Sequence, residues 1–532
     1  MIKRKIYQWH KYLSLVIAIP VLLWAASGFM HPIMTTIKPE VSQQTYIAPA
    51  IDSSQLKISI ADALSINKYA KINTIRIIQI NGTHFYQVKL PGVAKLQYIS
   101  TKDGKQLKNG DELYARYLAK YFLLGNPKYE VSQHSVPSLA EREEPENDCC
   151  INAENVVMNQ NNGVPVRNIV FQEKFDSEYK SINRLLPVYR VGFEREDNIR
   201  IYVETAQDRF GLAFDNSRSI FDTLFQIFHN MSWLNSLGNI RLVVEMAIMS
   251  LAFITTLMGV YIFFTSKSKI VSDKPITGMR RNHRYTSIIA SFFTLLFTFS
   301  GAFHAFQKFK PDTRDNFFVE NKFLASELNL NWSKLQLAIQ NDFSIVNISA
   351  IKINGQNYWQ IYQRNTDDSA FSKKRGNMGG DSLNPIYVNT EDYSILKDGE
   401  KLYARYLASS FITDSVSNPV EVKQITKFAG EYGFVNKRLP VWKLGYGTNY
   451  NERFYVETST GKLSVRIDDR EVFEGLSFSF LHKHHFMDFA GKSWRDFSTM
   501  LWAAMQIAMI VVGLILWNKA VKAKKKYPTH GS

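Results

Sequence analysis

The sequence predicts a helical membrane protein: a four-span α-helical bundle carrying two large external α+β domains, built by internal duplication with a parallel pseudo-twofold axis. Three observations predict it. Four stretches hold no charged residue and are long enough to cross a bilayer, basic residues collect in the short segments that flank them, and motifs of the first half recur in order in the second.

The uncharged stretches run over residues 12–37, 246–266, 285–307 and 497–518. The first is too long for a cleavable leader; Pro20 and Trp24 interrupt it, and no small-x-small site follows. Residues 1–11, 267–284 and 519–532 contain 15 Lys and Arg against a single acid, Asp273, and so carry +14 of the formal +16. That is the positive-inside pattern, which places both termini and the middle loop in the cytoplasm of a bacterial cell, with the large domains in the periplasm. The basic excess is therefore topological, and no nucleic-acid partner is expected. At 45% hydrophobic the chain is not mostly membrane, and two cysteines in 532 residues exclude a disulfide-stapled scaffold or a four-cysteine metal centre.

The expected order is a first span within residues 1–37, an external domain over 38–240, a second span at 241–266 and a cytoplasmic loop at 267–284. A third span follows at 285–307, then a second external domain over 308–495, a fourth span at 496–518 and a basic tail at 519–532. The three short inner segments leave no room for a nucleotide or flavin domain, since one βαβ unit alone needs about 30 residues.

The repeat is specific. HKYLS at 10–14 matches HRYTS at 283–287, SGFMH at 27–31 matches SGAFH at 300–304, and INGTHFYQV at 80–88 matches INGQNYWQI at 353–361, all offset by 273. LYARYLA at 113–119 recurs unchanged at 402–408. NRLLPVYRVGF at 183–193 matches NKRLPVWKLGY at 436–446, and YVET at 202–205 recurs at 455–458, both offset by 253. The changing offset locates two insertions. One is a Gly/Ser/Lys-rich stretch near 364–383, and the other an acidic stretch within about 121–182 containing EREEPENDCC.

Within the external domains, residues 59–69 read as a short helix. TIRIIQI, THFYQVKL and KLQYIST alternate apolar and polar as half-buried strands do, and a second set, LPVYRVGF, IRIYVET and RFGLAF, follows before residue 215. LYARYLA reads as a helix whose exact recurrence is explained by core packing. In the insertion, Cys149 and Cys150 follow five acids; the run reads as a solvated loop, with a vicinal disulfide or a cation site as the alternatives.

Six of the eleven histidines fall at matching places: His10 with His283, His31 with His304, and His229 with His482. His484 and His485 lie close enough to loosen the last match. His84, His134 and His530 read as ordinary exposed or loop residues. A histidine near a span end is commonly structural or interfacial. Here two helices each carry one at both ends, 21 residues and so about 30 Å apart, near a whole number of turns. His10 opposing His283 and His31 opposing His304 supply two axial imidazoles at each membrane surface, as six-coordinate haem b requires. His229 and His482 are alternative outer ligands or neighbours of an outer haem. Gly28 and Gly301 leave space for a macrocycle or a facing helix. No HExxH motif suggests a zinc protease.

YQWHKYLSLV with SGFMH, RNHRYTSIIA with SGAFH, and the paired LPVYRVGF…IYVET and LPVWKLGY…FYVET segments resemble the PepSY-associated transmembrane helix family from about residue 5 to 517. The resemblance implies an iron-regulated inner-membrane protein akin to ferric-siderophore reductases. It implies two b haems on His10, His283, His31 and His304, with His229 and His482 next in line. It also implies an oxidoreductase that passes electrons to an external ferric siderophore or other ferric chelate. Some relatives carry a fused flavoprotein domain; this chain has none, so its donor is a membrane quinol or a separate reductase. The other readings are a membrane-anchored PepSY module that binds peptides or regulates a peptidase without redox chemistry, and a permease. The duplicated His-to-His spacing favours electron transfer, because an anchor needs no histidines and the spans lack the polar midpoints of a permease.

Overall fold

The computed structural model describes residues 2–124, 150–151, 164–266, 275–309, 318–339, 343–364, 385–412 and 418–526. The chain forms two units: a helical one of Met1–Lys38, Asn216–Asp312 and Asp469–Ser532, and a sheet-bearing one of Pro39–Asp215 and Thr313–Asp468. Among the described residues the helices of eight or more residues, with one shorter, are α1 (Ile2–Thr36), α2 (Ile60–Ile66), α3 (Gly110–Leu124), α4 (Asn216–Phe228) and α5 (Asn239–Thr265) in the first half. The second half contributes α6 (Pro275–Gln307), α7 (Trp332–Ile339), α8 (Gly399–Phe411), α9 (Asp469–Ser477) and α10 (Lys492–Lys526).

Among the described residues four helices, α1, α5, α6 and α10, are long and apolar enough to cross a membrane. With the sheets described below, this is the architecture of a membrane protein with α+β domains. The helices outrun the uncharged stretches, because polar helix formers such as those at residues 2–11 continue the hydrogen-bonded ladder. Pro275 opens α6, a position where its missing N–H costs nothing. Polar residues inside α6 are satisfied locally: Ser291 donates to the Ser287 carbonyl, Thr294 to Ala290 and Thr298 to Thr294. Back-bonding of this kind lets hydroxyls sit in an apolar span.

In the helical unit α1 packs on α5, α5 on α6, α6 on α10 and α10 on α1. The four form a ring, with α1 and α6 at opposite corners. The first and third spans thus oppose each other across the diagonal, with α5 and α10 between. Short connections explain it, since α5 and α6 are joined by nine residues and so become antiparallel neighbours. Amphipathic α4 packs along α1, and a π-helical turn at Phe478–His482 after α9 packs on α6.

Among the described residues the sheet-bearing unit contains ten strands from the first half and eight from the second. The first ten are β1 (Lys71–Ile72), β2 (Thr74–Ile80), β3 (Thr83–Lys89), β4 (Gln97–Ser100), β5 (Gln106–Leu107), β6 (Cys150–Ile151), β7 (Val166–Gln172), β8 (Val188–Phe193), β9 (Arg200–Glu204) and β10 (Arg209–Phe214). The rest are β11 (Phe323–Leu324), β12 (Ser344–Ile353), β13 (Gln356–Arg364), β14 (Ile386–Asn389), β15 (Glu421–Ile425), β16 (Val441–Gly445), β17 (Arg453–Glu457) and β18 (Lys462–Ile467). They form a two-stranded sheet, β1-β11, two four-stranded sheets, β10-β9-β8-β7 and β15-β16-β17-β18, and one eight-stranded sheet, β14-β13-β12-β2-β3-β4-β5-β6. The eight-stranded sheet joins the halves where antiparallel β12 meets β2, with Ser349 opposite Arg76, residues 273 apart. Further cross-links are reciprocal. Arg184 donates to the Asn436 side chain at 3.1 Å, and Lys437 donates to that of Asn183 at 3.0 Å.

LYARYLA lies on α3 and again on α8, and its buried faces account for the recurrence. Tyr114, Ala115 and Leu118 pack into one core and Tyr403, Ala404 and Leu407 into another. Gly110 and Gly399 begin these helices beneath Tyr98 and Tyr387, where a Cβ would come within 2.7 Å of the ring-bearing carbon. Of the acidic insertion, its first residues to Leu124, Cys150 and Ile151 in β6, and its last residues from 164 lie among the described residues.

Candidate functional site

The matched histidines gather at two levels of the helical ring. At the first level His10 leaves α1 toward α5, where its Nδ1 donates to the Thr255 carbonyl at 3.0 Å. One turn further along α5 is Gly259, whose missing side chain makes room for the ring: a Cβ there would lie 3.2 Å from His10 Cε1. His283 repeats this on α6. Its backbone partner is the Met509 carbonyl on α10, and one turn on, Gly513 would place a Cβ 3.3 Å from His283 Cε1. Each imidazole therefore points its Cε1 edge at a glycine of a neighbouring helix, one ring nitrogen spent on a carbonyl. For His10 the nitrogen left over is Nε2, which then carries a lone pair.

At the second level, His229 follows α4 and is tied to α1 twice. The Trp24 indole donates to its backbone carbonyl at 2.9 Å, and Ser27 Oγ lies 3.1 Å from its Nδ1. The Ser27 hydroxyl proton is already given to the carbonyls of Leu23 and Trp24, so toward His229 the oxygen accepts. Nδ1 then carries the hydrogen and Nε2 the free lone pair. The same logic holds on the other side. Ser300 on α6 donates to Leu296 O and accepts from His482 Nδ1 at 3.3 Å. Burial holds the His229 imidazole down at about 4 and His482 well below its ordinary value, neighbouring histidines adding to the effect, so both rings are neutral at pH 7.

Six rings then form one row. His31 lies 5.3 Å from Phe225, which stacks on His229 at 4.4 Å; His304 stacks on Phe478 at 4.3 Å, which stacks on His482 at 4.7 Å. At the centre His229 and His482 meet, ring centroids 6.2 Å apart and planes at 82°. The structure thus brings His229 to His482 and sets His31 and His304 behind the two phenylalanines. Their surroundings differ. Beside His31 is an apolar crevice of Met30, Met34 and Phe221, whereas His304 Nδ1 is bound to the Glu474 carboxylate. Gly301 admits the facing helix, with a Cβ there only 2.9 Å from Met249 Sδ, while Gly28 has open space.

A metal–imidazole bond is about 2 Å, so one metal held between two opposed Nε2 atoms keeps ring centroids roughly 6 Å apart. His229 and His482, neutral, Nδ1-anchored and at that spacing, have the chemistry of an axial pair. A carbonyl or hydroxyl on the far nitrogen is also the usual support for a metal-bound histidine.

Of the remaining histidines, His84 is not exposed or in a loop. It is buried on β3, receiving a bond from Asp52 N at 3.2 Å and facing Gln55 Oε1, because β3 is covered by the residue 52–55 turn. His485 pairs with Asp488 at 2.8 Å. His134 and His530 lie outside the described residues. Sequence reasoning missed Gly259 and Gly513, whose mutual offset of 254 differs from that of the surrounding motifs, and Phe225, Phe478 and Glu474. Ser27 and Ser300 stood in the SGFMH and SGAFH motifs without a role.

No protein-family model matches the chain, and no curated protein matches it either.

Proposed function

We propose that the chain is a two-haem b-type electron-transfer protein of the bacterial inner membrane that reduces external ferric chelates, ferric siderophores among them, and so frees iron. The observation that carries the reading is the two levels of paired histidines. His10 with His283 would hold one haem and His229 with His482 the other, His31 and His304 flanking the second. The levels are separated by the 17 residues from His10 to Ser27, about 25 Å along α1. Haem bound at each level would supply a one-electron carrier.

The chain's own residues do the rest. Thr255 and Met509 carbonyls and the Ser27 and Ser300 hydroxyls fix the imidazoles in the tautomer that presents a lone pair, so no reorganisation is needed to ligate. By the positive-inside pattern the first level would lie on the cytoplasmic side, where Lys5, Lys11, Arg280, Arg281 and Arg284 would meet haem propionates or an acidic donor. Reciprocal bonds between the halves, and the Arg76–Ser349 pairing, support duplication about a pseudo-twofold axis. The sheet-bearing unit would be the PepSY-like external part. The donor would be a quinol or a separate reductase.

The deciding experiment is an absorption spectrum of the detergent-purified protein, oxidised and reduced. Two haems per chain, with a Soret band and sharp low-spin bands on reduction, are expected. A colourless protein from haem-replete cells would overturn the reading in favour of a membrane-anchored peptide-binding module.

A further inference from the structure

A continuous run of aromatic rings leaves His482 and descends the helical unit. Phe297 lies 5.4 Å from His482, the His484 ring stacks on Phe297 at 5.3 Å and 16°, and Phe293 follows at 5.3 Å. Phe293 then stacks on Trp502 of α10 at 3.7 Å and 19°, the tightest ring contact among the described residues of the helical unit. From Trp502 the same face of α10 reaches Met509 two turns on, about 10 Å away. The Met509 carbonyl is the one that holds His283. The run therefore starts at a histidine of one level, and its last ring lies two turns of α10 from the carbonyl that holds a histidine of the other.

Three features set it apart from ordinary packing. First, it belongs to one half: the matching positions in the first half are Trp24, Met231, Pro20 and Ile248, which cannot form such a stack. Second, His484 is fully buried, its Nδ1 is engaged by Ser498 at 3.1 Å, and its Nε2 has no hydrogen-bond partner. An apolar ring would fill that space without leaving a polar nitrogen unpaired. Third, Phe293 and Phe297 are one turn apart on α6, so His484 bridges them where the helix alone would leave a gap.

We propose that Phe297, His484, Phe293 and Trp502 form the electron path between the two histidine levels, so that transfer runs through the second half of the chain. This rests on the two-haem reading above. Tunnelling weakens exponentially with the width of the gap, and polarisable rings in contact replace one wide gap by several narrow ones. One electron crosses per event: the inner haem iron goes from ferrous to ferric as the outer goes from ferric to ferrous. The rings end as they began, and no proton or further reactant is consumed.

The test is the rate of inter-haem transfer after flash reduction of the purified full-length protein. Trp502→Leu and Phe293→Leu should each slow it about tenfold or more, while Trp502→Phe and the first-half counterpart Ile248→Ala leave it near wild type. Haem content, low-spin spectra and both midpoint potentials should be unchanged in all four. Near-UV circular dichroism of haem-free protein should lose the Phe293–Trp502 contribution in the three variants at those positions and keep it in Ile248→Ala. Unchanged transfer in both Trp502→Leu and Phe293→Leu, or an equal loss in Ile248→Ala, would overturn the path while leaving two haems in place. Slowing that tracks a shifted potential or lost haem would mark a structural role instead. A protein without haem would overturn the path together with the reading beneath it.

Discussion

The His229 ring stands edge-on to that of His482, centroids 6.2 Å apart, and each is anchored through Nδ1 by a serine from a different long helix. His229 is carried after α4 and His482 in the π-helical turn after α9, so neither ligand candidate belongs to a span. Two connecting segments, not the spans themselves, converge on this centre.

His229→Ala and His482→Ala should each remove the same haem, halving the haem content, and the double variant should lose no more than the worse single. His31→Ala and His304→Ala, acting from behind Phe225 and Phe478, should perturb that haem's spectrum while leaving it bound. Haem quantitation of purified variants decides it; loss of haem in His31→Ala with retention in His229→Ala would make the flanking histidines the ligands.

Ser27→Ala and Ser300→Ala remove the acceptor that holds each Nδ1–H. Outer-support losses of this kind typically weaken metal binding about 10- to 100-fold. Haem titration of the apo variants should show this for one of the two haems only.

At the other level, Gly259→Val and Gly513→Val push a side chain into space already taken by an imidazole, 3.2 and 3.3 Å from the added Cβ. Each should displace or distort the haem proposed for His10 and His283 and spare the other, which low-temperature reduced spectra resolve.

The histidine levels were legible in the sequence because a 21-residue spacing and two repeat offsets are arithmetic that needs no coordinates. The pairing of His229 with His482 was not, since it depends on α4 and the π-helical turn folding back against α1 and α6. Nor was the glycine facing the imidazoles of His10 and His283: an isolated glycine in an apolar span has no periodic signature, and only the ring packed against it gives it meaning. The strands and the LYARYLA helices followed from alternation and burial, whereas the union of the halves at Arg76 and Ser349 required knowing which edge of β2 stays open.

In the sheet-bearing unit, Glu457 is buried between halves. Burial alone would raise its carboxyl, but Arg209 and Arg438 pull it down to about 2. A depressed carboxyl stabilises the fold above its ordinary value near 4.5, and that contribution is lost as pH falls toward 2. The loss is roughly 3 kcal/mol. Glu457→Gln should lower the Tm at pH 7 and flatten its dependence on pH between about 5 and 2.

Reduced protein in proteoliposomes should be reoxidised promptly by a ferric siderophore added on the side of the sheet-bearing unit, and NADH alone should not reduce it. Prompt reduction by NADH with no other protein present would reveal a donor site in the chain itself. Failure of every ferric chelate to reoxidise it would leave a haem protein whose acceptor is not iron.

The β2–β12 junction also governs how the molecule is made. Its partners are separated by more than 260 residues, so the eight-stranded sheet has high contact order and closes only once the second half has been synthesised. Until then β2 presents a free edge, a template for any strand of suitable register. Because Arg76 sits opposite its own counterpart in the repeat, the best-matched intruder is β2 of another copy of the first half. A truncated chain would therefore tend to pair with itself in the same geometry, and covalent linkage of the halves protects the edge by raising the local concentration of the right partner.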